Sequence, residues 1–212
     1  MKYTHILWDW NGTLLDDVAI SIDCVNILLE SLNLQKTDLE EYYEMMEIPM
    51  KRYYENLFSS RNFEFKYELC TKNFQKNYPM MIDNAKLMNS AIEILQYFKS
   101  QGAKQFIVSS FEKIRLIGYV KKFGIDSYFE AISGDDDIHV GSKSGRAIEL
   151  VKGVERDKIL YIGDSEADYI TANDVGCDCI LLSKGHQPRK TLEKFGCIVI
   201  DNLTEIKKLA SD

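Results

Sequence analysis

Several things are scarce in this chain of 212 residues, and each scarcity excludes something. Proline occurs three times and glycine twelve, too few for a collagen-like or Pro/Gly-rich disordered chain. No apolar run approaches the about 18 residues that a membrane-spanning helix needs. The opening residues, MKYTHILWDWNGTL, lack the apolar stretch and small-residue cleavage site of a secretory signal, so a cytoplasmic protein that binds no membrane is expected. Histidine is rare, at His5, His139 and His186, and none is assigned to a metal. The five cysteines (Cys24, Cys70, Cys177, Cys179 and Cys197) include no CxxC pair, which argues against a disulfide framework or a structural zinc site. Cys177 and Cys179 lie two apart in an apolar stretch and read as buried thiols on one face of a strand. Positive charge is also in deficit. Twenty-six Lys and Arg against 33 Asp and Glu leave a net charge of −7. Such a surface repels phosphate backbones at long range, so nucleic acid is not an expected partner. A small anionic substrate stays open, because a local site can be positive on an acidic protein.

What is present is core material: 45 % of the residues are apolar, with twelve Tyr, ten Phe and two Trp. The length allows one core, or one core with an inserted subdomain. HILWDW (His5 to Trp10) reads as a short apolar strand ending at the turn dipeptide NG. Apolar residues then recur at helical spacing over 15–31, and aromatic residues do so over about 37–46, 50–60 and 64–77, with Pro49 and Pro79 as punctuation. After Pro79 the texture changes. A helix over 84–100 stops at Gly102, and KQFIVSS (Lys104 to Ser110) is a strand. A helix over 111–122 and the strand YFEAIS (Tyr128 to Ser133) follow, leading into the acidic loop GDDD. A helix over about 143–152, the strand KILYIGD (Lys158 to Asp164) and a short helix over 166–175 come next. CDCILLS (Cys177 to Ser183), CIVI (Cys197 to Ile200) and a closing helix complete the chain.

Strands alternating with helices of about ten residues predict a parallel α/β sheet of Rossmann-like type, with helices on both faces. The helical block interrupts that rhythm directly after the first strand, and so reads as an inserted all-helical cap. The expected division is a core of residues 1–14 and 81–212 and a cap of residues 15–80.

In open parallel sheets the ligand sits at the carboxyl ends of the strands. Asp9 and Asn11, Ser109 and Ser110, and Asp164 with Asp168 all follow predicted strands, and Lys143 opens a later helix. Acidic residues and an amide at one sheet edge suit a hard cation such as Mg²⁺, which takes oxygen ligands. A lysine and a serine beside them suit a phosphate. Plainer roles exist for some of these residues. Ser109 or Ser110 would also serve as a helix N-cap with Glu112 or Lys113 nearby, Lys143 as a solvated lysine, and Asp168 as a surface helix residue.

DWNGTLLD (Asp9 to Asp16), VSS (Val108 to Ser110), Lys143 and GDSEAD (Gly163 to Asp168) resemble, in order and spacing, the four motifs of the haloacid dehalogenase-like hydrolase superfamily. YFEAISGDDD (Tyr128 to Asp137) resembles the segment before its lysine. The likeness is to the phosphoglycolate phosphatase and β-phosphoglucomutase-like branch, and the helical block matches a C1-type cap. The resemblance implies Asp9 as the nucleophile that forms an aspartyl-phosphate. It implies that Gly12 and Thr13 bring backbone N–H groups to the phosphate, that Ser109 donates to a phosphoryl oxygen, and that Lys143 neutralises the shared charge. Asp164 would hold Mg²⁺ with Asp9 and the Asn11 carbonyl, and Asp168 would complete the acidic cluster directly, through water or through Lys143. The substrate implied is a small phosphorylated metabolite. Caps of this family contribute substrate contacts, and Lys51 and Arg52 are the basic candidates for a second anionic group.

One position departs from the pattern. The residue two after the nucleophile is an aspartate in the phosphatases of this family, where it serves as general acid and base. Here it is Asn11, whose amide cannot exchange a proton. Three readings follow: a phosphatase of reduced or specialised activity relieved by another group (Asp16 and Asp17 are candidates), a dehalogenase- or phosphonatase-type reaction, the latter with Lys51 as a Schiff-base lysine, and a phosphate-binding or regulatory protein without turnover.

Overall fold

The computed structural model describes residues 2–64, 66–135 and 142–210; His139, Asp136 and Asp137 lie outside the described residues. The chain forms two units, one of Met1–Leu15 with Leu87–Asp212 and one of Asp16–Lys86.

The larger unit is built on one sheet of six parallel strands: β1 (His5–Trp8), β4 (Lys104–Glu112), β5 (Ala131–Asp135), β6 (Ile159–Gly163), β7 (Asp178–Leu182) and β8 (Ile198–Ile200), in the spatial order β5-β4-β1-β6-β7-β8. The central strands are apolar throughout, as a sheet covered on both faces requires; every residue of β6 is buried. On one face Leu7, Phe106, Val108, Ile159 and Tyr161 meet Ala147 and Val151 of the α7 segment and Ala172 and Val175 of α8. Here α7 is Lys143–Leu150 and α8 is Glu166–Val175. On the other face Trp8 meets Phe98 of α5 (Ala91–Ser100) edge-on, with ring centroids 6.0 Å apart. The Trp8 indole N–H donates to Gln105 Oε1 (3.1 Å), and the Gln105 amide donates to the Leu95 carbonyl (2.9 Å). This buried relay satisfies polar groups that would otherwise be costly there.

Beginning at β1, the chain winds through β4 and β5 on one side and through β6, β7 and β8 on the other. β1 with its two neighbours is therefore the point where the winding reverses, and their carboxyl ends bound the natural ligand crevice.

The smaller unit is helical: α1 (Val18–Ser31), α2 (Leu39–Met45), α3 (Met50–Ser59) and α4 (Tyr67–Met81). Its core joins Val18, Ile22, Val25, Leu28 and Leu29 of α1, spaced by three and four residues, to Tyr42 of α2 and to Tyr53, Tyr54, Leu57 and Phe58 of α3. Asp38 caps α2 by accepting from the Glu41 N–H (2.9 Å). Arg61, 8 % exposed, pairs with Glu41 (2.8 Å) and also donates to the Gln35 and Leu57 carbonyls. A two-stranded ladder of β2 (Leu15–Asp16) and β3 (Lys86–Leu87) lies where the chain leaves the sheet unit and returns to it.

The elements differ from expectation at several boundaries. The helix expected over 84–100 begins only at Ala91, behind Ser90 in the left-handed region (φ +65°). The preceding residues are spent on a 3₁₀ turn (Ile82–Asn84) and on β3, and the Met88 N–H donates to the Leu14 carbonyl (2.8 Å). Pro79 does not stop α4, which continues to Met81. A proline in the last turn of a helix removes only one N–H bond there. The helical unit accordingly extends to Lys86. α6 (Lys113–Lys122) is capped by neither Ser109 nor Ser110: the Glu112 carboxylate accepts from the Ile114 and Arg115 N–H groups. A further short helix, α9 (Arg189–Leu192), follows Pro188. All five cysteines are free thiols; Cys24 and Cys70 are buried, while Cys177 and Cys179 are only half-buried, around the start of β7, whose residues become buried only from Ile180 onward.

Candidate active site

The site is built at the ends of β1, β4 and β6, within the sheet unit. Past β1 the chain turns sharply. The Trp10 carbonyl accepts from the Thr13, Leu14 and Leu15 N–H groups (3.3, 3.0 and 2.8 Å), and the Gly12 N–H donates to the Leu15 carbonyl (2.9 Å). Gly12 carries the turn at φ +70°, a conformation that costs side-chain-bearing residues steric strain. A Cβ at Gly12 would stand 2.3 Å from Asp164 Oδ2 and 2.8 Å from the His186 ring. Glycine is thus required both for the turn and for the close approach. Asp9, 6 % exposed, precedes this turn, and its N–H donates to the Ile162 carbonyl of β6 (2.9 Å).

β6 delivers the second carboxylate. Asp164 Oδ1 accepts from the Thr13 hydroxyl (3.1 Å) and Oδ2 from the His186 N–H (2.6 Å). Gly185 clears the way, since a Cβ there would overlap the Asp164 side chain at 2.3 Å. Asp168, fully buried in the first turn of α8, is more heavily engaged. Its Oδ2 accepts from the Asp164 N–H (3.1 Å), the Ser165 N–H (3.0 Å) and the Ser165 hydroxyl (2.7 Å). Its Oδ1 accepts from Lys143 Nζ (2.7 Å) and the Tyr161 hydroxyl (3.2 Å).

Lys143 is the cation of the cluster. It opens α7, which is capped by the Ser142 hydroxyl accepting from the Gly145 N–H (3.2 Å). Its ammonium group donates to Asp9 Oδ1 at 2.5 Å as well as to Asp168. The reading of Lys143 as a solvated lysine is thereby replaced, as is that of Asp168 as a surface helix residue.

Electrostatics separates the two carboxylates that share this lysine. Burial, with Asp168 and Asp164 adding to it and only Lys143 opposing, pushes Asp9 up from the usual 3.8 to about 8. Asp168 is equally buried, but the Lys143 ammonium and the donors from Ser165 and the Asp164 backbone outweigh burial and hold it below the usual range. Burial works against the Lys143 charge, yet attraction to Asp168 and Asp9 raises its pKa well above the ordinary value.

Asp9, Asp164 and Asp168 can each offer a carboxylate oxygen, all within 4.8 Å of one another. Three buried carboxylates face a single ammonium, so the cluster carries excess negative charge on hard oxygen donors. That donor set fits a divalent cation of the Mg²⁺ type. Asp9 and Asp164 are better placed to serve as ligands than Asp168, whose two oxygens already accept from five protein donors.

Ser109, 2 % exposed, follows the residues of β4 that pair with β1, and its hydroxyl accepts from the Phe111 N–H (3.0 Å). Ser110, by contrast, is exposed. Asn11 is half-buried and forms an isolated bridge with Leu15. Lys51 and Arg52 belong to the helical unit. Both are exposed on α3 and sit near acidic neighbours, Lys51 near Glu55 (3.8 Å) and Arg52 near Glu47 (3.6 Å). Asp16 is exposed; Asp17 is buried in the helical unit, where the Tyr78 hydroxyl donates to it at 2.5 Å.

Sequence reasoning missed four participants: Tyr161 and His186, Gln187, whose side chain accepts from the Glu166 N–H (2.6 Å), and Arg146, which donates to the Ser109 carbonyl (2.8 Å). The strand-end rule, applied to β7 as it was to β1, β4 and β6, would have drawn attention to the KGHQ segment.

Comparison with known proteins places these features in a family. The haloacid dehalogenase-like hydrolase family model matches residues 6–182. Among curated proteins, a provisionally named pyrophosphatase, PpaX, of Caldanaerobacter subterraneus subsp. tengcongensis is 25 % identical over 92 % of this chain and 88 % of its own. A phosphoglycolate phosphatase of Pseudomonas fluorescens is 24 % identical over 93 % and 76 %. Among solved structures, a haloacid dehalogenase-like family hydrolase from Streptococcus pneumoniae superposes with a TM-score of 0.79 at 17 % identity, covering 98 % of both chains.

Proposed function

The chain belongs to the haloacid dehalogenase-like hydrolase family, and from that premise we propose that it is a Mg²⁺-dependent phosphatase of a small phosphorylated metabolite, working through an aspartyl-phosphate. The observation that carries the reading is the Lys143 ammonium shared between Asp9, which follows β1, and Asp168, in the first turn of the helix that follows β6. A carboxylate held at 2.5 Å by a buried ammonium, beside two further carboxylates, suits attack on a phosphoryl group, whose negative charge would otherwise repel the nucleophile.

In this mechanism a carboxylate oxygen of Asp9 forms a bond to phosphorus as the ester oxygen departs, and water then cleaves the acyl phosphate to release orthophosphate and regenerate Asp9. Lys143 neutralises charge between Asp9 and the phosphoryl oxygens. Ser109 directs its hydroxyl proton at a phosphoryl oxygen, while one lone pair of the hydroxyl accepts from the Phe111 N–H. Gly12, Thr13 and Ser110 are assigned to the phosphate-binding loops. Asp9, Asp164 and the Asn11 carbonyl would hold the Mg²⁺, with Asp168 acting chiefly through Lys143. The bound cation supplies positive charge that favours ionised Asp9 and the developing phosphoryl charge.

The likeness to a phosphoglycolate phosphatase supports a small carboxylated phosphate as the first substrate class to test; Lys51 and Arg52 are the cap residues we assign to its second anionic group. The test is Mg²⁺-dependent release of phosphate from p-nitrophenyl phosphate and acetyl phosphate. Turnover that Asp9→Asn abolishes supports the phosphatase. One observation favours a second reading, a phosphate-binding protein without turnover: Asn11 provides no proton to the leaving group. Absence of hydrolysis of both compounds and of a sugar-phosphate panel, with retained orthophosphate binding, would favour that reading.

A further inference from the structure

We propose that Arg146 is a positioning residue that fixes the phosphate-binding Ser109 and couples it to Lys143. The inference rests on the phosphatase reading and deepens it.

The sheet carries a fault between β4 and β5. β4 and β5 pair regularly up to Val108↔Ser133, and the next aligned pair is Glu112↔Asp135. Four steps along β4 therefore oppose two along β5, and Ser109, Ser110 and Phe111 bulge out of the ladder. The bulge is accommodated by Gly134: a Cβ there would lie 2.6 Å from the Lys113 Cα and 2.7 Å from the Phe111 carbonyl oxygen. It also takes the Ser109 carbonyl out of the regular ladder, and a buried carbonyl without a partner is costly. Arg146 Nη2 fills that place at 2.8 Å, while Nη1 reaches Asp135 Oδ1, the last residue of β5, at 3.4 Å.

The Arg146 side chain is 9 % exposed, and its planar guanidinium fork presents donors in fixed relative directions. It thus pins the bulge from outside the sheet. The Phe111 N–H pins the Ser109 hydroxyl from within the bulge. Between them they set where the hydroxyl proton is aimed. Arg146 also lies three residues after Lys143 on α7, on the same face of the helix. Ser109 and the lysine that holds Asp9 are therefore referenced to one short rigid element. A lysine at position 146 would provide one compact charge in place of this fork.

Because Arg146 is argued to act through Ser109, its effect should vanish when the Ser109 hydroxyl is gone. The experiment measures kcat/KM for p-nitrophenyl phosphate with Mg²⁺, and orthophosphate affinity by calorimetry, for the wild type, Arg146→Met, Ser109→Ala and the double variant. Removing one preorganised donor of this kind costs about 10²-fold, the loss expected for Ser109→Ala. We expect Arg146→Met to lose about tenfold in kcat/KM and to weaken orthophosphate binding. The double variant should fall within about threefold of Ser109→Ala in both measurements, the signature of coupled residues in a cycle. Losses that multiply, or no loss in Arg146→Met, would overturn the inference, as would a loss in Arg146→Met with none in Ser109→Ala. Should Arg146→Met not fold, Arg146→Gln keeps a donor at that position and serves in the same cycle. If the wild type neither turns over phosphate esters nor binds orthophosphate, the phosphatase reading falls and this inference with it. If the wild type does both and the losses multiply, only the role of Arg146 falls.

Discussion

Replacing Asp9, the proposed nucleophile, should make the metal-free protein more stable. Asp9 is 6 % exposed, lies with Asp164 and Asp168 in a cluster holding a single ammonium, and takes up its proton near pH 8 when folded against 3.8 ordinarily. The sign follows from proton counting. Between about pH 4 and pH 8 the folded protein keeps a proton on Asp9 that the unfolded chain releases. Folding is therefore progressively penalised as pH rises through that window, and the penalty is absent below it, where both states are protonated. At pH 7 about three pH units separate the solution from the ordinary value, and at about 1.4 kcal/mol per unit the penalty is at most about 4 kcal/mol. Asp9→Asn removes the titrating group, preserves its shape and keeps an oxygen for Lys143, although it gives up part of the attraction to that ammonium. A net stabilisation of about 2–4 kcal/mol at pH 7 to 8 is expected, shrinking toward zero near pH 4.

Urea denaturation in chelator at pH 5, 7 and 8 measures this directly. The two proteins should differ in midpoint, not in slope, and by a margin that widens with pH. Added Mg²⁺ should narrow it, because a cation that binds only the folded state stabilises by about 2.7 kcal/mol at a hundred times its dissociation constant, and the wild type retains the stronger site. If Asp9→Asn is no more stable than the wild type in chelator at pH 8, the account of a charge-frustrated nucleophile is wrong. Such frustration at a reacting residue is the usual exchange of stability for activity.

Restoring the carboxylate with Asn11→Asp should raise turnover of an alkyl phosphate about 10²- to 10⁴-fold and that of p-nitrophenyl phosphate far less; unchanged alkyl phosphate kinetics would show that Asn11 is not the missing acid–base group. Gly12→Ala should cost about 2 kcal/mol or more, because φ +70° and a Cβ 2.3 Å from Asp164 Oδ2 cannot both be accommodated. The same variant should weaken Mg²⁺-dependent stabilisation, measured as the shift in melting temperature. In the helical unit, hydrogen bonding to Arg61 holds the Glu41 carboxyl below its usual 4.5, so the pair stabilises above that pH and the contribution fades on acidification. Arg61→Met should destabilise by about 1–2 kcal/mol at neutral pH and speed amide exchange in α2 and α3, with little pH dependence left between 3 and 6.

How far this site could be read in the sequence depends on which part of each residue does the work. Asp9, Ser109, Lys143, Asp164 and Asp168 carry side chains whose proposed chemistry restricts the residue type; Asp9 and Asp164 follow strands, Lys143 and Asp168 lie in the first turn of a helix, and Ser109 sits inside β4. Type and position together made them legible, as did the alternation that predicts the parallel sheet and the helical insertion. His186 escaped notice because it reaches Asp164 with its backbone N–H, a group every residue but proline carries; the true signal was Gly185, where no side chain fits. Arg146 escaped for a related reason. Its partner is a backbone carbonyl exposed by a two-residue slip between β4 and β5, and a slip in register leaves no periodicity to detect. The boundary errors share this origin. Residues 84–90 have apolar spacing compatible with a helix, yet Met88 spends its N–H on Leu14 and Lys86–Leu87 pair with β2. Long-range pairing overrides local propensity wherever it satisfies the backbone better. Asp168 shows the converse limit. Its place in the acidic cluster was legible, but the five donors that also make it the anchor of Lys143 and of the Asp164 loop are a division of labour that residue type alone does not encode.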